Sequence, residues 1–488
     1  MTTFSDRFRV RKPVEILSRE DKTAIHEAAL EVMETVGIRI HSKSARDALR
    51  NAGALVDEAT AVVKFPKHVT NSLMASVPEK IVLAGREKEY DLPMDGRHCF
   101  YTTDGCGISV WENETQSRRL AVLQDIRDSA RMADYLQYCS IYEPTVVPSD
   151  VPEDRHVIVA MKEAFDISRK HILSESTSHP DEARTQIRMA SEIVGGIDEL
   201  RKRHIMSAMV CTMSPLTLDG NATEAGMVWA DAHVPVCITG MAMAGVSSPA
   251  TLAGNIVVNH AETMSLACAI QARAKGAPAM YGSVLSNVDP RTGAIMLASP
   301  EGILLCIMAH EMAKHVKMPS ACGGLGSNSK VPGMESCIEN SLVALGSTLF
   351  AQEVNNGLGL LDCSTVLSYE QMVIDNDIVG RALVFGREIP VTKETLHLDL
   401  IKEVGILGMG KKKGNFLGER ATMQEVRQFF RSDVLSSEPF DQWVAKGRKS
   451  EVAAAKERAD WILKNHQPEM LDRDISARLA GIVKGAIG

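Results

Sequence analysis

Residues 278–341 read PAMYGSVLSNVDPRTGAIMLASPEGILLCIMAHEMAKHVKMPSACGGLGSNSKVPGMESCIENS. Two short apolar runs, Pro278–Ser283 and Met318–Gly323, each end in small and polar residues. Between them Pro300–Val316 carries apolar residues at helical spacing. The stretch is therefore a strand–loop–helix–strand unit, the repeat of a parallel α/β fold. In such folds chemistry sits on the loops beyond the strands' carboxyl ends. Here those loops carry Tyr281, Asn287, Asp289, Arg291, Glu301, Ser327, Asn328 and Lys330, which form one expected wall of a site.

The same alternation extends in both directions. Strands are expected at Ile141–Val147, Ile172–Ser174, Ile205–Cys211, Val236–Gly240, Ala279–Ser283, Ser320–Gly323 and Leu358–Leu361. Helices are expected at Arg155–Ser168, Asp181–Val194, Ala222–Ala232, Ala250–Ala274, Pro300–Val316 and Ile338–Val354. Cys99–Thr103, or a late segment near Gly386–Val391, would supply an eighth strand. This alternation predicts an α/β fold, a (β/α)8 TIM barrel, in preference to a doubly wound open sheet. Residues 1–95 mix small elements and read as an N-terminal α/β cap. Ser18 with Asp21 forms a capping box there, ahead of a helix that Gly37 ends. The barrel is placed at 96–395. Helices at Leu396–Val404, Thr422–Arg431 and Phe440–His466 place a C-terminal helical extension at 396–488, packed on the barrel.

The chain has 488 residues, 45% hydrophobic and 24% charged, with a formal net charge of −8. That balance excludes a binder of the nucleic-acid backbone, which needs a basic face. No apolar run reaches the roughly 18 residues of a membrane span, and the start has no signal-peptide core, so a cytoplasmic location is expected. Ten cysteines are scattered singly without a CxxC pair, which reads as buried small hydrophobes and leaves no metal site to assign.

Three local patterns resemble motifs and fail on their mechanics. Gly405–Lys412, GILGMGKK, has phosphate-loop spacing but lacks the following Ser or Thr and the preceding strand. His310, Glu311 and His315 mimic a zinc-protease helix, but histidines five apart do not share a helix face. Gly323–Gly326 is a Gly-rich loop without the dinucleotide fingerprint. Glu262, with Asn255, Asn259 and His260 near it, marks a polar cluster in an apolar helix.

Several stretches together resemble one family. These are EVMETVGIRI with RNAGALVDEATAVVKFPKHV, then TTDGCG through ENETQSRRL and DIRDSARMADYL, then VPSDVPED and HAETMSLACAIQARAKGAPAMYGS. SPEG, GGLGSNSK, GNFLGERAT and RSDVLSSEPFDQW complete the set. In order and over nearly the whole length, the chain resembles the trimethylamine methyltransferase superfamily, corrinoid-protein-dependent enzymes that demethylate methylamines on a TIM barrel. The archaeal trimethylamine enzymes carry pyrrolysine in the region that falls here near Gly324–Glu339, where this chain has ordinary residues. The resemblance therefore implies the non-pyrrolysine branch, typified by glycine betaine:corrinoid protein methyltransferase. Where the family's C-terminal motif has His, Ala421 precedes Thr422, and no role is carried over to that position.

The resemblance implies transfer of a methyl group from a quaternary amine, glycine betaine first, to Co(I) of a separate small corrinoid-binding protein. Carnitine, proline betaine or a methylated amine are alternative substrates, and a non-catalytic quaternary-ammonium binder is the alternative class. No corrinoid-binding DxHxxG signature occurs, so no cofactor is expected on this chain itself. A homo-oligomer is expected. The leaving group is a neutral amine, so neither an acid nor a metal is demanded; positioning and desolvation suffice. Aromatic faces and carboxylates suit the cation. No catalytic residue is assigned. The candidate substrate-binding residues are Tyr101, Asp104, Tyr142, Tyr281, Glu301, Ser327, Asn328, Lys330 and Phe416.

Overall fold

A computed structural model describes residues 3–175, 179–409 and 414–486. Its centre is a six-stranded, all-parallel sheet of Ile141–Tyr142, His171–Ser174, Met206–Cys211, Val236–Gly240, Ala279–Ser283 and Ser320–Cys322. The strands lie side by side in chain order. Each right-handed crossover therefore places its helix on the same face, and the sheet curls into an open half-barrel. His156–Ile167, Pro180–Val194, Gly220–Asp231, Leu252–Arg273 and Pro300–His315 form that outer layer.

This corrects the expectation of a closed eight-stranded barrel. Phe100–Tyr101 and Val354–Asn355 pair only with each other, as a separate parallel ribbon. Single bridges, Thr102 to Ile141 and Gly324 to Asn356, join this ribbon to the two edges of the sheet. The reason is local. Gly357 and Gly359 take positive φ angles of 94° and 92°, a conformation that ends a strand. The apolar run at 358–361 then turns into the antiparallel pair Leu360–Leu361 and Val366–Leu367. The Gly386–Val391 segment is not a strand, and the sheet has no reversal of strand order, so it is not doubly wound either.

The N-terminal elements join the same body. Ile38–Ile40 pairs antiparallel with Val62–Lys64 and parallel with Thr217–Leu218, which follows a sheet strand. Arg19–Thr35 starts with the expected capping box, Asp21 N–H donating to Ser18 Oγ at 3.0 Å. At the other end, the expected helix over Phe440–His466 is two, Phe440–Ala445 and Glu451–Asn465, with Gly447 at φ +92° between them. Among the described residues no helix is long and apolar enough to cross a membrane.

Candidate active site

Three carboxylates gather where the strands end. Asp104 follows the Phe100–Tyr101 ribbon strand, Glu143 follows Ile141–Tyr142 and Glu175 follows His171–Ser174. Thr103 ties the first two segments together. Its Oγ1 donates to Glu143 O at 2.6 Å and accepts from Glu143 N at 2.7 Å. Gly105 passes between the acids: a Cβ there would stand 3.1 Å from Glu143 Oε1 and 3.1 Å from Glu175 Cβ. A side chain at this position would crowd both.

The electrostatics of the cluster are costly for an isolated chain. Burial, then the charges of Asp104 and Glu175, push the Glu143 carboxyl well above the usual carboxylate range. Burial also raises Asp104, against hydrogen bonds from Ser364 and Cys106. Burial raises Glu175, which His156 partly offsets with Nε2 3.7 Å from Oε1. Glu143 Oε2 is buried without a hydrogen-bond partner among the described residues. A buried acceptor without a donor is costly, and either a proton on the carboxyl or a neighbouring cation relieves it.

Asp104 also lines a narrow recess with a free volume of about 30 Å³. Its floor and walls are Gly323, Gly324, Gly326 and Gly357, the apolar Leu285, Leu297 and Val343, and the amides of Gln352 and Asn356. The glycines are required by close backbone approach: a Cβ on Gly324 would lie 2.6 Å from Asn356 O, and one on Gly357 2.2 Å from Leu325 O. The Gly-rich loop thus forms one wall beside an acidic cluster. Negative charge beside an apolar, glycine-lined wall is an arrangement that suits a small, largely apolar cation.

The expected binding residues fall in different places. Asp104 belongs to the cluster. Tyr101, Tyr142 and Tyr281 are fully buried and turn their hydroxyls to the outer helices. Tyr142 Oη donates to Ile126 O at 2.9 Å and Tyr101 Oη to Ala344 O at 3.1 Å. Tyr281 Oη meets Asn259 Nδ2 at 3.2 Å and His260 Nδ1 at 3.0 Å. Glu301 is exposed in the first turn of Pro300–His315. Ser327 Oγ donates to Glu339 Oε2 at 2.6 Å, and Asn328 N to the same oxygen at 2.9 Å. Lys330 pairs with Asp362 at 2.8 Å. Phe416 stands 41% exposed in the C-terminal segment. The structure brings together only Asp104 of this set with Glu143 and Glu175, which sequence reasoning missed.

The other polar clusters are structural. Glu262 accepts from Thr212 Oγ1, Ser214 Oγ and Leu216 N at 2.7–2.8 Å. His310 is buried against Ser320 Oγ at 2.8 Å, and burial pushes it down to about 3. Glu311 accepts from Ile16 N and Leu17 N. The phosphate-loop look-alike runs into residues 410–412, which lie outside the described residues. Among the described residues no group of His, Cys, Asp or Glu is placed to hold a metal ion.

The sequence profile described as trimethylamine methyltransferase (MTTB) matches residues 4–484. The chain belongs to this family. It is a methyltransferase enzyme. It is 30% identical over 467 residues to a trimethylamine methyltransferase of Desulfitobacterium hafniense, covering 96% of this chain and 93% of that one. It is 30% identical over 472 residues to the trimethylamine methyltransferase of Methanosarcina thermophila, covering 94% and 95%. A glycine betaine methyltransferase of Desulfitobacterium hafniense is 25% identical over 471 residues, covering 96% of each. Among solved structures, the monomethylamine methyltransferase of Methanosarcina barkeri has 12% identity and a TM-score of 0.49, with 93% of this chain and 96% of that chain covered.

Proposed function

We propose that this chain belongs to the branch without pyrrolysine and demethylates a quaternary amine, with glycine betaine the first substrate to assay. The methyl group passes to a separate small corrinoid protein, whose Co(I), when docked, supplies the nucleophile. The observation that carries the reading is the buried, unpartnered Oε2 of Glu143 beside Asp104 and Glu175. A quaternary ammonium has no N–H to donate. It neutralises such a cluster by charge alone and needs an enclosing wall more than hydrogen bonds.

In this reading the carboxylates hold and orient the cation, and the recess excludes water. Moving the positive charge off nitrogen gives a neutral amine, which the cluster no longer retains, so product release follows from the same electrostatics. The glycine-lined wall allows close approach to the bound methyl group. The glycine betaine methyltransferase that aligns along 96% of both chains supports this choice of first substrate.

The test is to incubate the full chain with a reduced corrinoid protein and glycine betaine and to measure dimethylglycine. Product that requires both proteins is expected. Failure with glycine betaine but turnover of another quaternary or tertiary amine moves the substrate. No demethylated product across a betaine and methylamine panel overturns the reaction.

A further inference from the structure

Glu175 of the acidic cluster has a basic neighbour with a fixed orientation. His156 is the first residue of the helix His156–Ile167. Its Nδ1 stands 2.7 Å from Glu153 O. A carbonyl oxygen only accepts, so Nδ1 carries a proton and the ring is held in one orientation. Nε2 then faces Glu175 Oε1 at 3.7 Å. A bare ring nitrogen and a bare carboxylate oxygen are both acceptors and repel each other there. The pair is therefore built around one proton, on the imidazole or on the carboxyl.

The helix itself gains nothing from a cation at this position. Its amino end is the positive end of the helix dipole, where an imidazolium is unfavourable. The surrounding charges decide instead. Glu175 and, from the helix Pro180–Val194, Glu182 face the ring, and the Glu153 carbonyl holds it. The nearby cations are committed elsewhere. Arg155 pairs with Asp154 at 3.1 Å, Lys162 with Asp166 at 2.6 Å, and Arg127 of the helix Leu123–Tyr135 with Glu163 at 2.8 Å. Arg478 of the helix Arg473–Ala486 pairs with Glu192. Glu175 is accordingly the main cause that lifts the imidazole above its ordinary value of 6.5.

We propose that His156 is a positioning residue for the cation site: clamped by the Glu153 carbonyl, it carries the proton that Glu175 would otherwise take, and so presents Glu175 to the cluster as a carboxylate. The inference rests on the proposed cation site. Without His156, burial and the charges of Glu182 and Asp104 favour the protonated Glu175 carboxyl, and the cluster loses a negative charge.

The test has two parts. In the full chain carrying isotope-labelled histidine, the Cε1–H resonance of His156 is identified by its loss in His156→Asn and titrated in the wild type and in Glu175→Gln. The wild-type ring is expected to titrate above 6.5, and lower in Glu175→Gln. Equal midpoints overturn the inference, whether or not the protein binds a cation. Calorimetry then compares the Kd of tetramethylammonium in the wild type and His156→Asn. At about pH 6 the variant is expected to bind about tenfold more weakly, and at about pH 9, where Glu175 ionises unaided and the wild-type ring is neutral, within about twofold. Glu143 is present in both proteins, so its own titration cancels in the ratio. A packing role would give the same loss at both pH values and overturns the inference, as does no loss at either. If a variant fails to fold, His156→Gln or Glu175→Ser is read in its place. A wild type whose His156 titration responds to Glu175→Gln, but which binds no tetramethylammonium at any pH, supports the pair and overturns the cation reading instead.

Discussion

Glu143 and Tyr142 are neighbours with opposite fates. Successive residues of a strand point to opposite faces, so the buried Tyr142 that reaches Ile126 O commits Glu143 to the inner side. Two predictions follow from the burial of that carboxyl. Glu143→Gln removes the carboxyl that a bound cation would ionise and is expected to raise the Kd of tetramethylammonium about tenfold, or ~1.4 kcal/mol, by calorimetry. An unchanged Kd in a folded variant removes Glu143 from the site. The second prediction concerns pH. The folded-state pKa of Glu143 is raised, so the folded chain holds this proton where the unfolded chain has lost it. Stability contributed at the cluster is thus greatest at low pH, and falls as pH rises from the ordinary glutamate value of 4.5 through the raised folded value. A bound cation favours the ionised form, so its affinity rises through the same window. Melting temperatures of the free protein against pH are expected to fall less steeply above 4.5 in Glu143→Gln than in the wild type. Identical slopes would show that another group controls this range.

At the scale of elements, the long helices were legible because period and caps agree. Pro300 opens its helix with Ser299 Oγ accepting from Gly302 N at 3.0 Å, and Gly195 closes Pro180–Val194 in the left-handed conformation. The six sheet strands were found as short apolar runs, and Phe100–Tyr101 lies within the Cys99–Thr103 run offered as an eighth, but its partner Val354–Asn355 was not expected as a strand. Val354–Asn355 is two residues long, too short for any periodic signal, and the glycines that stop it sit inside an apolar run. The acids were missed for a related reason. Aromatic residues at strand ends drew attention to Tyr101, Tyr142 and Tyr281, whose hydroxyls satisfy outer helices. The available signal was a lone carboxylate directly after an apolar run, as in IYE and ILSE. Glu262 shows what a carboxylate does when it is structural. From the helix Leu252–Arg273 it ties down the loop after Met206–Cys211 through Thr212, Ser214 and Leu216. Glu262→Ala leaves one buried and two half-buried donors without their acceptor and is expected to cost about 1–3 kcal/mol in urea unfolding. Glu262→Gln keeps one acceptor oxygen and is expected to lose less. Equal losses in the two variants would mean that packing, not hydrogen bonding, fixes the loop.

For the whole molecule, the open sheet predicts an uneven distribution of stability. The inner strands Met206–Cys211, Val236–Gly240 and Ala279–Ser283 are each hydrogen-bonded on both sides along several residues. The ribbon of Phe100–Tyr101 and Val354–Asn355 is held by a two-residue ladder and one bridge at either side. Local opening there breaks few bonds, whereas opening an inner strand breaks two ladders and exposes core. Amide exchange is the direct measure. The amides of Phe100 and Thr102, which donate to Glu353 O and Asn355 O at 2.8 Å, are expected to exchange at least about tenfold faster than that of Tyr281, which donates to Pro319 O at 2.8 Å. The donor–acceptor distances are the same, so any difference reports the sheet around each bond and not the bond itself. Asp104 follows the ribbon strand Phe100–Tyr101 by three residues, so bound tetramethylammonium is expected to slow the ribbon amides selectively and leave Tyr281 unchanged. Equal protection of the two sets in the free protein would mean that the ribbon and sheet open as one unit, and that the ribbon carries as much stability as the inner strands.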